Sequence, residues 1–281
     1  MTVTPGTGSA TWVGTDGVPV GYRKIGAGKP LVIVHGSIAT GEQWMSVAEL
    51  LAADHTVYIL DRRGRGLSGD SVDYSLATEA RDIGALVEIA GPGAALLGHS
   101  YGAVCALEAV RRGTPVESLI LYEPPLPVDG PVAGEQLETY KDLLTVGDLD
   151  GAMRLACDHF LRITPEEKEG LAASPMWDGM VELTPTWSRE LEQIDLTETE
   201  LAGYSALAVR TLLLVGGDRP GLLRNASSYL YGNMPDVGRS EFPGRTISPM
   251  SWPRPLSQGP SGTFSPRHEP DHSQKGLHNA R

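Results

Sequence analysis

The sequence predicts an α/β fold: a mostly parallel sheet with helices on both faces and a helical cap inserted over one edge. Three observations point there. Short apolar runs such as Leu31–Val34, Val57–Leu60 and Thr211–Val215 alternate with segments of helical period, which calls for a parallel sheet between helical layers. A Gly-x-Ser-x-Gly pentapeptide, Gly98–Gly102, stands where one apolar run meets a helix. Residues 128–204 carry helical patterns and no convincing strand. With 281 residues, 41% of them hydrophobic, the chain can bury the core of one large domain.

The elements follow in order. Residues 9–24 read as two strands around the turn Thr15-Asp16-Gly17. Leu31–Val34 is a continuous apolar run, as suits a strand buried on both faces. Helical Gln43–Ala53 leads to strand Val57–Leu60 and the loop Asp61–Gly66. Helix Leu76–Ala90 precedes strand Ala94–Leu97 and the pentapeptide. The following helix ends at Arg111-Arg112-Gly113, with basic residues in its last turn, glycine beyond and Pro115 blocking continuation. Strand Ser118–Tyr122 completes this first part of the core, residues 1–127. The cap, 128–204, has helical patterns at Glu135–Leu144, Gly151–Leu161 and Glu166–Ala173, broken by Pro165, Pro175 and Pro185. The core resumes over 205–244 with strand Thr211–Val215, helix Gly221–Met234 and a short strand near Arg239–Phe242. Residues 245–281 hold six prolines and six serines and no helix or strand period, a composition that predicts disorder.

Charge and cysteine usage narrow the function classes. The net charge is −12, which disfavours nucleic acid and anionic membrane as partners and leaves a small-molecule substrate. Its sign is uneven: residues 245–281 carry five Lys and Arg against two Asp and Glu, leaving −15 for residues 1–244. No apolar run approaches the ~20 residues that span a bilayer. Met1–Ala10 does not read as a signal peptide. Cys105 and Cys157 suggest no disulfide scaffold, so a cytoplasmic location is expected. Cys105 reads as a small core residue, and so does Cys157. No metal-ligand spacing or dinucleotide fingerprint is present, so no cofactor is expected. Arg62-Arg63-Gly64-Arg65-Gly66 is short and lacks interleaved aromatics, so it reads as a loop and not as a nucleic-acid patch.

Strand, sharp turn and helix around Gly98-His99-Ser100-Tyr101-Gly102 describe a nucleophile elbow. Its turn strains the serine backbone and leaves no room for neighbouring side chains, so glycines flank it two residues away on each side. Ser100 Oγ is then exposed at the carboxyl edge of the sheet, above the positive end of a helix.

With this elbow, His35-Gly36 after one strand, Asp61–Ser68 after the next and Gly216-Gly217-Asp218 after a later one, the chain resembles the α/β-hydrolase superfamily, specifically small capped serine hydrolases. The resemblance runs in family order over residues ~10–244 and implies an α/β-hydrolase fold with eight mostly parallel strands. It implies Ser100 as nucleophile and an oxyanion hole built from the backbone N–H of Ser37, or Ile38 after it, and of Tyr101. For the acid it leaves two candidates. Asp218 follows an apolar strand, although the commonest pattern places its acid one residue later, at Arg219. Glu123 resembles the earlier-strand position used by haloalkane dehalogenases. Either would orient a histidine and stabilise the imidazolium. A serine at the elbow argues against epoxide hydrolase and dehalogenase chemistry, which rest on an aspartate nucleophile.

The family pattern also demands a histidine after the last strand, and Phe242–Ser248 contains none. A frameshift near Gly244 is the expected cause. Codons permitted for Gly244–Pro253, read one base earlier, can encode Gln-Asp-His-Leu-Ala-Asn-Val-Met-Ala, followed by a helix of apolar period. His35 and His55 read as structural, His99 as packed against neighbouring strands, and His159 as a cap-helix residue. His268, His272 and His278 lie in a segment with nothing to position them. Trp44, Met45, Trp177, Met180 and Trp187 are candidates to line an apolar acyl pocket. The expected reaction is acyl-enzyme hydrolysis of a small, largely apolar ester, lactone or related carbonyl compound, impaired by the missing histidine. The alternatives are a catalytically dead binding protein of the same fold, or acyl transfer or cofactor-free peroxidation on the same site.

Overall fold

The computed structural model describes residues 8–216, 221–242 and 265–266. Strands β1 (Gly8–Val13) and β2 (Pro19–Gly26) form an antiparallel hairpin. Its turn closes through Gly14 N–H donating to Val18 O at 2.8 Å. β2 then pairs antiparallel with β4 (His55–Asp61). From there the sheet is parallel: β4 pairs with β3 (Lys29–Val34), β3 with β5 (Ala95–His99), and β5 with β6 (Ser118–Tyr122). Next come β7 (Thr211–Gly216) and β8 (Val237–Phe242).

A ninth strand, β9, is a two-residue pairing of Ser265–Pro266 against Gly238 and Arg239. It corrects the expectation that residues 245–281 carry no strand at all. An outer strand offers unpaired N–H and C=O groups, and a short extended segment satisfies two residues' worth of them. The rest of that tail lies outside the described residues.

The sheet divides its apolar residues between two faces because successive side chains alternate. Val32 and Val34 of β3 join the larger cluster with α2 (Leu76–Ala90) and α3 (Tyr101–Arg111). Leu31 and Ile33 join a smaller one with α1 (Met45–Leu51). On that second face Ile120, Tyr122, Leu212 and Leu214 are only half-buried. α2 begins where expected, with the Ser75 side chain accepting from Thr78 N–H at 3.2 Å. α3 is almost wholly buried, Tyr101 to Ala109. Cys105 and Cys157 are free and buried.

Between β6 and β7 the regular elements of the described chain are helices, apart from a bridge between Val128 and Gly130. α4 (Gln136–Thr145), α5 (Leu149–His159) and α6 (Pro165–Ala172) match the expected segments closely. α7 (Trp177–Glu182), α8 (Thr184–Leu196) and α9 (Leu201–Ser205) were not expected. Pro165 and Pro185, read as breaks, each lie in the first turn of a helix. Proline is tolerated there because the N–H that it lacks has no intrahelical partner. Tyr140, Phe160 and Trp187 pack edge to face, with ring centroids 5.4, 6.3 and 5.9 Å apart, and bind α4, α5 and α8 together. α10 (Gly221–Asn233) returns to the sheet. Among the described residues no helix is long and apolar enough to cross a membrane.

Candidate active site

Ser100 follows β5 and caps α3 with φ 52° and ψ −124°. A non-glycine residue rarely adopts that region, which costs of order 1–3 kcal/mol and survives only when its surroundings enforce it. Here they do. Ser100 N–H donates to Tyr122 O at 2.8 Å, which ties the turn to β6. A Cβ on Gly98 would come within 2.5 Å of Ala103 Cα, and one on Gly102 within 2.5 Å of His35 O. Both glycines are therefore required by close backbone approach, which is the physical content of the pentapeptide spacing.

The segment after β3 lies against this corner: a Cβ on Gly36 would be 3.0 Å from Ser100 Cβ. Ser37 is half-buried, and Ile38 is held at φ 44°, an outlier for a β-branched residue. As the first residue of α3, Tyr101 has no intrahelical acceptor for its N–H. The segment that carries Ser37 and the first residue of α3 thus both adjoin Ser100.

Arg62 braces this arrangement. It is fully buried; its Nε donates to His35 O at 3.0 Å and its Nη2 to Gly36 O at 2.8 Å. Its Nη1 lies 3.0 Å from Glu79 Oε1 and 2.7 Å from Glu190 Oε1, and its guanidinium sits over the Tyr101 ring at 4.9 Å. Arg65 Nη2 is 2.7 Å from the same Glu190 oxygen. Burial alone would raise the Glu190 pKa, but Arg62 and Arg65 outweigh it and hold the carboxyl below its ordinary range. For Glu79 burial wins and the pKa is raised. Arg62–Gly66 is a loop, as the sequence reads, and Arg62 and Arg65 make it a buried ionic junction between core and cap. Glu190 was missed from the sequence. Its signal was a lone carboxylate between Trp187, Leu191 and Ile194 in the apolar stripe of α8.

Of the candidate acids, Glu123 is fully buried at the end of β6, with φ 49°. Its Oε1 accepts from Gly216 N–H at 2.6 Å. His99 and Tyr122 are paired across β5 and β6, so Ser100 and Glu123 leave adjacent strands side by side. Asp218 lies outside the described residues, as do His268, His272 and His278. His35 is buried, its Nδ1 2.8 Å from Gly36 O and its Nε2 accepting from Arg62 N–H at 3.1 Å. Burial, reinforced by Arg62, lowers its pKa far below the usual imidazole value. It is a neutral strut. His55 opens β4 at the opposite edge of the sheet, and His159 is exposed on α5. The His99 ring packs between Trp44 and Tyr122, with centroids 5.7 and 5.0 Å away.

A cavity of about 430 Å³ opens above Ser100 beneath the cap. Ser37, Ile38, His99 and Ser100 form its floor, while Phe160, Met180, Trp187, Leu191 and Ile194 supply much of the cap side. Of the five expected pocket residues, only Met180 and Trp187 line it. Trp44 packs on His99, and Trp177 Nε1 donates to Asp150 at 2.8 Å.

Comparison with known proteins agrees with this architecture. Residues 31–258 match the model of the Alpha/beta hydrolase family. An N-formylmaleamate deformylase of Pseudomonas putida is 36% identical over 154 residues, 52% of this chain and 58% of that protein. Matches to two further curated relatives span 26% and 34% of their lengths. The crystal structure of an alpha/beta hydrolase from Sphaerobacter thermophilus superimposes with a TM-score of 0.78 at 29% identity, covering 85% of this chain and 94% of that one. An esterase from Exiguobacterium antarcticum superimposes with a TM-score of 0.67 over 83% of this chain and 90% of that one. At 18% identity it shares the fold alone.

Proposed function

The chain belongs to the alpha/beta hydrolase family, and on that premise we propose that it hydrolyses small, neutral, largely apolar esters or lactones with Ser100 as nucleophile. One observation carries this reading: a serine hydroxyl on a strained corner, φ 52°, at the floor of an apolar cavity of about 430 Å³. Ser100 Oγ adds to the substrate carbonyl carbon, and the carbonyl π pair moves onto oxygen. The N–H groups of Ser37 and Tyr101 receive that oxyanion; one such donor is typically worth ~3–4 kcal/mol. Collapse expels the alcohol, which leaves with the proton taken from Ser100. Water then adds to the acyl-enzyme, releasing the acid and restoring the hydroxyl. Glu123 or Asp218 is the acid that would orient a histidine base. The lining has no lysine or arginine among the described residues, which supports a neutral substrate over an anionic one.

His35, His55 and His159 are not placed to take the Ser100 proton. This favours slow turnover, and it supports a second reading in which the fold persists as a binder of apolar small molecules. A series of p-nitrophenyl esters of rising acyl length, tested on the wild-type chain and on Ser100→Ala, separates the two. Turnover of short to medium esters that Ser100→Ala abolishes supports the hydrolase. Equal rates in both proteins overturn it.

A further inference from the structure

We propose that His35 and Arg62 aim and polarise the Ser37 N–H by holding the carbonyl of its own peptide unit, Gly36 C=O. The inference rests on the reading of Ser37 as an oxyanion donor. Gly36 O accepts twice: Arg62 Nη2 donates to it at 2.8 Å, and His35 Nδ1 stands 2.8 Å away. The His35 tautomer follows from its other nitrogen. Nε2 accepts from Arg62 N–H at 3.1 Å, and a backbone N–H can only donate, so the ring proton sits on Nδ1 and goes to Gly36 O. A further Arg62 nitrogen, Nε, donates to His35 O at 3.0 Å. Arg62 therefore grips both carbonyls, and its own amide fixes the imidazole that supplies the second bond.

The peptide plane turns that grip into a direction. The Gly36–Ser37 bond is trans, like the others among the described residues, so its C=O and N–H point to opposite sides. Two donors on Gly36 O thus also fix where Ser37 N–H points. That N–H has no acceptor among the described residues, and Ser37 lines the cavity beside Ser100. A Cβ on Gly36 would meet Ser100 Cβ at 3.0 Å, so this peptide unit lies against the nucleophile. Drawing electron density onto the carbonyl oxygen strengthens the N–H as a donor, because the peptide is a resonance system and buried hydrogen bonds polarise one another. His35 and Arg62 are both fully buried. Ile38 follows at φ 44°, and strain of that kind persists only where neighbours over-determine it. Neither His35 nor Arg62 lines the cavity. They are positioning residues, acting through one peptide unit.

The test replaces His35 in three ways in the full chain. Asparagine keeps an amide N–H near the place of Nδ1, glutamine moves it to that of Nε2, and leucine removes it. Two quantities are read: the second-order rate of Ser100 labelling by a fluorophosphonate, and kcat and KM for p-nitrophenyl butyrate. His35→Gln and His35→Leu should slow labelling and kcat about tenfold while KM stays within about twofold, as for a displaced but retained donor. His35→Asn should bring both rates back to within about threefold of wild type, a rescue that loss of packing alone does not give. Arg62→Lys keeps a cation facing Glu79 and Glu190 but lacks the planar fork that spans both carbonyls, and should also cost about tenfold in kcat. A loss confined to KM, or a loss in His35→Asn as large as in His35→Leu, overturns the proposal. Should the His35 variants not fold, Arg62→Lys decides, and a wild-type labelling rate there overturns it. Unlabelled Ser100 in folded wild-type protein overturns the hydrolase reading itself. Labelled Ser100 with wild-type rates in His35→Gln and Arg62→Lys overturns this positioning alone.

Discussion

Replacing Arg62 by methionine removes the centre of the buried junction while roughly preserving its volume. The guanidinium donates to two backbone oxygens, at 3.0 and 2.8 Å, and faces Glu79 and Glu190 at 3.0 and 2.7 Å. Each backbone hydrogen bond is worth about 1 kcal/mol net. Glu190 keeps Arg65, and Glu79 keeps the Tyr74 hydroxyl at 2.9 Å, yet two fully buried carboxylates then share one cation. Breaking a buried pair from one side costs about 3–5 kcal/mol. These terms overlap, so Arg62→Met should lose about 4 kcal/mol in urea unfolding followed by tryptophan fluorescence. Removing the stranded charges as well, in Arg62→Met/Glu79→Gln/Glu190→Gln, should recover at least about half of that loss. A loss below about 1 kcal/mol in Arg62→Met, or a triple variant weaker than the single, refutes the reasoning.

Three further outcomes are expected. Gly102→Ala places a methyl against the carbonyl oxygens of Val34 and His35, 2.5 Å from the latter; backbone atoms at the end of β3 cannot yield. It should cost about 3 kcal/mol in thermal unfolding and, by moving Tyr101 N–H, about 100-fold in ester turnover. His35 is neutral in the fold with its pKa lowered well below 6.5, so the unfolded chain takes up its proton first as pH falls. Stability should therefore drop below pH ~6.5 by up to about 1.4 kcal/mol per pH unit. Glu79, whose pKa burial raises above the ordinary carboxylate value, opposes that slope between its raised pKa and the ordinary one, and only the difference between wild type and His35→Gln isolates His35. Restoring one base near the Gly244 codon should write Gly-Gln-Asp-His and raise ester turnover about 1,000-fold or more by returning the base. It should also supply a helix to cover the half-buried Ile120, Tyr122, Leu212 and Leu214. A coding sequence that does not read that way refutes the frameshift.

The strands were legible because a sheet buried on both faces writes uninterrupted aliphatic runs, and β3, β6 and β7 read directly as such. α2 spans the expected Leu76–Ala90, and the elbow was legible from the glycines that its close contacts require. The cap was harder. Pro185 sits in the first turn of α8, and sequence alone does not distinguish a proline that breaks a helix from one that begins it. Charged residues are mostly exposed, so nothing local marks Arg62 and Arg65 as buried. Their partner Glu190 stands more than 120 residues away, on a helix that was itself missed. Glu123 became a candidate through its resemblance to the earlier-strand position of haloalkane dehalogenases, and the structure sets it one residue past the His99–Tyr122 pair, on the strand beside that of Ser100. Asp218, a candidate from the pattern after β7, lies outside the described residues, and local pattern gives no proton acceptor, since a triad is assembled by tertiary contact and not by spacing.

The most direct measurement is intact-mass and peptide mapping of the full-length chain after exposure to a fluorophosphonate. The elbow geometry predicts a single adduct on the peptide carrying Ser100, slowed in Gly102→Ala and absent in Ser100→Ala. A folded chain that takes up no label, or takes it up equally after Ser100→Ala, contradicts an activated serine at this corner.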